Sequence, residues 1–187
     1  MTPPDAQTGD PRPSLAVFDI DGVLADVRHR LHFVEARRKD WGGLFRAAPY
    51  APPLADGIAA VLAAERAGLQ IVYLTGRPEW CRSDTVAWLA DQGLPDGDLY
   101  MRDNTDRRPA RMTKVSRLRR LARTGHVDVF VDDDAAVVAA VQEAGFRVHH
   151  AQWMGTETDG ADGAPEAGTD RTAQEVLFEI QEENPRT

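Results

Sequence analysis

Asp19 and Asp21 stand two residues apart in the segment VFDIDGVL at positions 17–24, directly before Gly22. In extended backbone, residues at that spacing share one face with Cα atoms about 6.6 Å apart, and the glycine permits a sharp turn after them. Thr75, Gly76 and Arg77 follow a second apolar segment, Lys114 follows a third, and Asp132, Asp133 and Asp134 end a fourth. A hydroxyl, a glycine turn and a lysine can hold phosphate oxygens, while clustered carboxylates supply oxygen ligands for a hard cation such as Mg²⁺.

The electrostatics of that combination calls for the cation. A carboxylate nucleophile approaching a phosphate dianion meets repulsion of roughly 4 kcal/mol per pair of unit charges at 4 Å and an effective dielectric of 20. Mg²⁺, Lys114 and nearby arginines would reverse the sign. Three adjacent acids at the end of a buried strand are otherwise hard to account for.

These groups must be carried by elements that bring them together. Short β-branched or aromatic segments at 15–19, 69–74, 99–101, 127–131 and 147–149 predict strands. Between them, helical patterns at 53–67, 79–92, 112–123 and 135–144 each run into a glycine or end beside one. The alternation predicts an α/β fold, a Rossmann-like parallel sheet with helices on both faces. Ligands in such sheets bind beyond the carboxyl ends of the strands, where all four groups fall. Residues 24–52 break the alternation and predict a small helical insertion after the first strand, with a helix over 27–39 and an aromatic stretch around Trp41, Phe45 and Tyr50. No large cap fits between Thr75 and Lys114, so an open cleft is expected. Trp80, Trp88 and Trp153 are expected in the core or at its edge.

Of the 187 residues, 42% are hydrophobic, too many for a disordered polymer, and no apolar run approaches the roughly 20 residues that span a bilayer. The prolines of 1–13 predict a disordered leader on a soluble, cytoplasmic protein. Cys81 is the only cysteine, which excludes a disulfide scaffold, and the adjacent His149 and His150 lack further ligands spaced for zinc. The formal charge of −8 is unevenly spread. From 155 to 187 there are nine acids and two bases, so the rest of the chain is nearly neutral. Residues 155–171 predict a flexible acidic linker and 172–187 a helix opened by a capping box. Within the body, residues 102–123 hold nine bases against two acids, a stripe suited to a solvated helix face or an anionic substrate.

Taken in this order, Asp19/Asp21, Thr75, Lys114 and Asp132–Asp134 resemble the four motifs of the haloacid dehalogenase (HAD) superfamily of phosphohydrolases, over residues 14–154. The resemblance implies a covalent mechanism in which Asp19 attacks phosphorus and Asp21 serves as acid and base. It implies that Thr75 and Lys114 hold the phosphoryl group, and that Mg²⁺ sits on Asp19, the Asp21 backbone carbonyl and Asp132 or Asp133. A narrower similarity, to the 3′-phosphatase half of phage polynucleotide kinase-phosphatases, rests on Asp19 to Ala25 with Arg30, Thr75-Gly76-Arg77, MRDNTD at 101–106 and Asp132-Asp133. It implies roles for Arg30 and Arg77 in binding the scissile phosphate and for Asp106 in orienting an arginine or Lys114.

The expected activity is therefore a Mg²⁺-dependent phosphomonoesterase that removes 3′-phosphates, or 2′,3′-cyclic phosphates, from nucleic-acid ends. A nucleotidase or small-molecule phosphatase is the alternative of the same chemistry. A non-catalytic phosphate-binding module is the alternative of another class, disfavoured by the intact Asp19 and Asp21. No GxxxxGK[ST] occurs, so any kinase, like any ligase, would be a separate partner protein.

Overall fold

The computed structural model describes residues 12–154. Five parallel strands form one sheet: β1 (Ser14–Phe18), β2 (Gln70–Pro78), β3 (Asp98–Arg102), β4 (His126–Asp132) and β5 (Val148–His150), in the order β3-β2-β1-β4-β5. Sequence order runs outward from β1 in one direction to β3 and then resumes on its other side with β4. The switch point thus lies between β1 and β4, where the Asp19 N–H donates to Val131 O at 2.9 Å.

Helices cover both faces, which is why the strands are apolar on both sides. On one face Phe18, Ile20, Tyr73 and Val131 pack with Val61 of α3 (Ala55–Arg66) and Trp88 of α4 (Arg82–Asp91). On the other, Val17, Val72 and Phe130 pack with Leu118 and Leu121 of α5 (Ala110–Leu121) and Val137 and Val141 of α6 (Ala135–Glu143). The fold is the expected α/β, Rossmann-like one.

The segment after β1 is less helical than its sequence suggests. In place of a helix over 27–39 there is a 3₁₀ turn at Arg28–Arg30, a four-residue α1 (His32–Glu35), and an extended Ala36. Asp26 accounts for the start: its carboxylate accepts from the backbone N–H and the guanidinium of Arg28. No residue of α1 is fully buried, and only Phe33 and Val34 are half-buried, with Phe33 against Gly43 of the next helix, so little tertiary packing offsets the cost of nucleating a longer helix. The chain resumes as α2 (Trp41–Arg46), where Asp40 caps the first turn through Gly43 N–H.

This insertion returns to its own beginning. Asp26 N–H donates to Pro52 O at 2.8 Å, Leu54 N–H to Leu24 O at 2.7 Å, and Ala25 bridges Pro53. α3 then packs directly on the turn after β1: a Cβ on Gly57 would fall 1.9 Å from Val23 O, so only glycine allows the approach.

Two further departures concern the edges. Residues 12 and 13 of the expected leader are tied to the body, with Arg12 donating to Ala122 O and Pro13 O accepting from His126 N–H. Trp80 is 48% exposed, whereas Trp88 is buried and Trp153 packs against the core, its indole N–H donating to Val23 O. The rest of the leader, the acidic linker and the terminal helix lie outside the described residues.

Candidate active site

β1 ends one residue before Asp19, and the turn that follows is built around Ile20 O, which accepts from the N–H groups of Leu24 and Ala25. Gly22 adopts φ +82°, and a Cβ there would lie 2.0 Å from Asp133 Oδ2. Glycine is therefore required twice at this position, for the left-handed backbone and for the room it leaves Asp133.

Lys114 is delivered by α5. Lys114, Leu118 and Leu121 are spaced i, i+4, i+7 and share its buried face, which points Lys114 at the carboxyl ends of β1 and β4. Its ammonium donates to Asp19 Oδ2 and Asp132 Oδ2, each at 2.6 Å. All three side chains are nearly or fully enclosed. Burial pushes the Asp19 carboxyl up to about 7, with Lys114 pulling it down and Asp132 adding to the rise. Burial also raises Asp133 to about 7, helped by the charge of Asp19. On Lys114 burial works the other way, yet the two carboxylates outweigh it and hold the amine well above its ordinary range.

Asp21 has a different environment. Arg77 binds it through Nε (3.1 and 3.2 Å) and Nη2 (2.6 Å), and Arg30 through Nη2 at 2.5 Å. Burial alone would raise this carboxyl, but the two guanidinium groups prevail and hold it below the usual carboxylate range. Both arginines are buried, so Arg30 is no solvated helix residue, and Asp21 keeps 23% of its side chain open. Arg77 is steadied by Thr85 Oγ1 at 3.4 Å, and Arg30 by Leu44 O at 3.2 Å. Sequence reasoning missed both supports. Thr85 gave a weak signal as a hydroxyl inside an apolar helical pattern; Leu44 contributes only its carbonyl and gave none.

Thr75 and Gly76 lie in the irregular end of β2, where the register with β3 shifts between Leu74 and Pro78. Thr75 is buried and its hydroxyl accepts from Arg77 N–H at 3.2 Å. Asp106 lines one cavity with Thr75 and Lys114. Its carboxylate accepts from Arg108 Nη2 at 2.6 Å, which holds it at about 2, and it orients that arginine rather than Lys114, Arg30 or Arg77. Asp134 is committed to the fold, capping α6 through Ala136 and Val137 N–H. The feature that could have revealed this is its place just before an apolar helical run.

Asp19, Asp132 and Asp133 each offer a carboxylate oxygen, all within 4.8 Å of one another. An all-oxygen donor set whose three carboxyls are all raised by burial suits a hard divalent cation, and Asp134 is not part of it. The residues present therefore fit Mg²⁺.

Comparison with known proteins bears on the fold and the family. A chain in a structure of the Pnkp1/Rnl/Hen1 RNA repair complex is similar at TM-score 0.62 and 21% identity, over 78% of this chain and 44% of that one. The class C acid phosphatase from Bacillus anthracis gives TM-score 0.58 and 15% identity, covering 96% of this chain and 82% of that one. A D,D-heptose 1.7-bisphosphate phosphatase from B. bronchiseptica, complexed with magnesium and phosphate, gives 0.52 and 17%, covering 91% and 99%. The chain spans less than half the length of the repair-complex chains it matches. No curated protein matches it. These likenesses, all below 25% identity, show that the chain shares the fold of those phosphatases and of the repair-complex chain. The family model described as "PITM 1-3, LNS2 domain" matches residues 16–136, from β1 to the start of α6, and so takes in every residue from Asp19 to Asp133. A match over well over half of the sequence settles membership: the chain belongs to the LNS2 domain family.

Proposed function

We propose that this protein is a Mg²⁺-dependent phosphomonoesterase that works through Asp19 and acts on 3′-phosphorylated nucleic-acid ends. The observation that carries the chemistry is the separation of two carboxyls into two settings. Asp19 is confined with Lys114, and Asp21 is gripped by Arg77 and Arg30 at the open side of the site.

Asp19 attacks phosphorus, the bond to the leaving oxygen breaks, and that oxygen takes a proton from Asp21. Water then attacks the aspartyl-phosphate, Asp21 takes its proton, and inorganic phosphate leaves with Asp19 restored. Arg77 and Arg30 are the donors an incoming phosphoryl group would meet. Drawing them off Asp21 leaves that carboxyl in a buried setting that favours its protonated form. A cation held by Asp19, Asp132 and Asp133 supplies the positive charge that offsets the repulsion between carboxylate and phosphate.

The nucleic-acid end is supported by the pair Arg30 and Arg77 on Asp21 and by the likeness to a chain from an RNA repair complex. That likeness also supports a separate kinase or ligase as partner. Among the described residues no helix is long and apolar enough to cross a membrane, in keeping with a cytoplasmic site of action. The test compares a 3′-phosphorylated oligonucleotide with nucleoside 3′- and 5′-monophosphates in the presence of Mg²⁺. The oligonucleotide should have the highest kcat/KM; faster cleavage of the mononucleotides would replace this reading with a nucleotidase.

Metal binding can be followed without turnover. Mg²⁺ at one hundred times its Kd should stabilise the protein by about 2.7 kcal/mol and raise Tm by several degrees. Asp133→Asn should remove most of that shift. An unchanged Tm in the parent protein would take the cation out of this site.

A further inference from the structure

The basic stripe of the sequence divides in the structure. Arg111, Arg119 and Arg123 line a groove toward α6, whereas Arg117 faces, with Lys114, a different cavity of about 300 Å³; Arg120 borders both. Thr75 and Lys114 wall one part of that cavity, and Arg102, Arg108, Arg117 and Arg120 wall the rest. It shares Thr75 and Lys114 with the place where a phosphoryl group would be held.

Its acids are already engaged. Glu79 pairs with Arg82, Asp106 with Arg108, and Asp103 accepts from the N–H and hydroxyl of Thr105. Among the described residues no carboxylate pairs with Arg102, Arg117 or Arg120. Arg102 donates to Arg108 O, and the Arg117 guanidinium carbon lies over the Tyr100 ring, 4.4 Å from its centroid. Lys114, Arg117 and Arg120 follow one another at three-residue spacing on α5, a rise of about 4.5 Å per step. Lys114 is committed to Asp19 and Asp132, but Arg117 and Arg120, one and two steps beyond it, have no ion-paired carboxylate among the described residues, and Arg117 lies over an aromatic face, so the two are arranged for an anion that the protein itself does not provide.

We infer that this cavity is a second phosphate subsite, so that the protein prefers phosphomonoesters carrying another phosphate group, which Arg117 and Arg120 bind with help from Arg102. The inference rests on the proposed chemistry at Asp19 and specifies its substrate class. The second phosphate could be a terminal monoester or the internal diester of a polynucleotide, and the two differ in charge but share the recognising groups.

The experiment measures kcat/KM for a nucleoside 3′-monophosphate, a nucleoside 3′,5′-bisphosphate and a dinucleotide 3′-phosphate. The parent protein should favour one or both of the doubly phosphorylated compounds by roughly 10–100-fold, the range expected for charge-assisted hydrogen bonds. A preference for the bisphosphate alone identifies a terminal phosphate as the natural occupant, and one that includes the dinucleotide identifies the internal diester. In the double variant Arg117→Gln/Arg120→Gln that ratio should collapse toward one. Arg119→Gln, which removes one positive charge of α5 outside the cavity, should keep it. An unchanged ratio in the double variant, or an equal fall in Arg119→Gln, overturns the subsite. If the parent protein cleaves none of the three, the proposed activity fails by itself. The subsite is then judged by calorimetric binding of the same compounds to Asp19→Asn protein, with the same ratio and the same variants deciding.

Discussion

Asp19→Asn protein is expected to lose at least about 10⁴-fold in turnover, a barrier increase of roughly 5.5 kcal/mol, while remaining folded. The amide oxygen cannot take the place of a carboxylate attacking phosphorus, and Asp21, on the other side of its turn and bound by two arginines, is not free to substitute. The structural cost is small because two effects oppose one another. Asp19 Oδ1 accepts from Ile20 N–H at 2.8 Å and Oδ2 from Lys114, so Asn can keep one bond and must set an N–H against a donor for the other. That conflict costs on the order of 1–3 kcal/mol. Against it, the variant no longer confines a negative charge whose burial already pushes its pKa to about 7. Phosphate release and a thermal melt together check the prediction. Retained turnover would overturn the aspartyl-phosphate route, and loss of the fold would show that Asp19 is chiefly structural.

Lys114→Met should have the largest effect on stability. The side chain is 5% exposed and is the shared donor of Asp19 and Asp132, with Asp133 close by. Removing one partner from a buried ionic cluster costs about 3–5 kcal/mol, because the remaining charges are left without compensation. The deficit should depend on pH in a defined direction. Asp19 and Asp133 have folded-state values near 7, above the unfolded 3.8, so the folded state binds more protons between those limits and its stability falls as pH rises through 7. Losing the ammonium raises those folded values further. Urea melts of metal-free Lys114→Met should therefore lie close to those of the parent near pH 4, where the carboxyls are largely protonated, and far below them at pH 8. Mg²⁺ should recover part of the loss at pH 8. Equal stability of variant and parent at pH 8 would mean that the carboxyls do not share one confined space.

The sheet and the strand-end aspartates were legible because both depend on local pattern. Strands covered on two faces are short apolar runs, and a ligand site beyond their ends forces polar residues such as Asp19 and Asp132 into the positions that follow. What spacing does not report is which side chains meet across the fold. Arg30 and Arg77 are 47 positions apart in the chain, and only the return of the insertion and the irregular end of β2 bring both to Asp21. The helix expected over 27–39 failed for a related reason: periodicity in that stretch was real, but the neighbouring α2 covers only Phe33 and buries none of it fully. Asp106 does orient an arginine, but the one it holds is Arg108, two residues on, and spacing alone does not say which arginine that is.

Residues 26–52 enter and leave the fold at a single point, because Leu24 and Asp26 are hydrogen-bonded to Leu54 and Pro52. A loop whose ends are pinned in this way can double in length for only about 0.6 kcal/mol. Over evolutionary time the segment is thus an exchangeable part, able to grow, shrink or be replaced while the nucleophile stays in place. Its ties to the body beneath are few. Any replacement must return a cation to Asp21 where Arg30 now stands, a carbonyl to hold it where Leu44 stands, and small apolar residues where Ala48 and Ala51 are buried, so selection on this stretch should concentrate on those positions and leave its exposed residues free to drift.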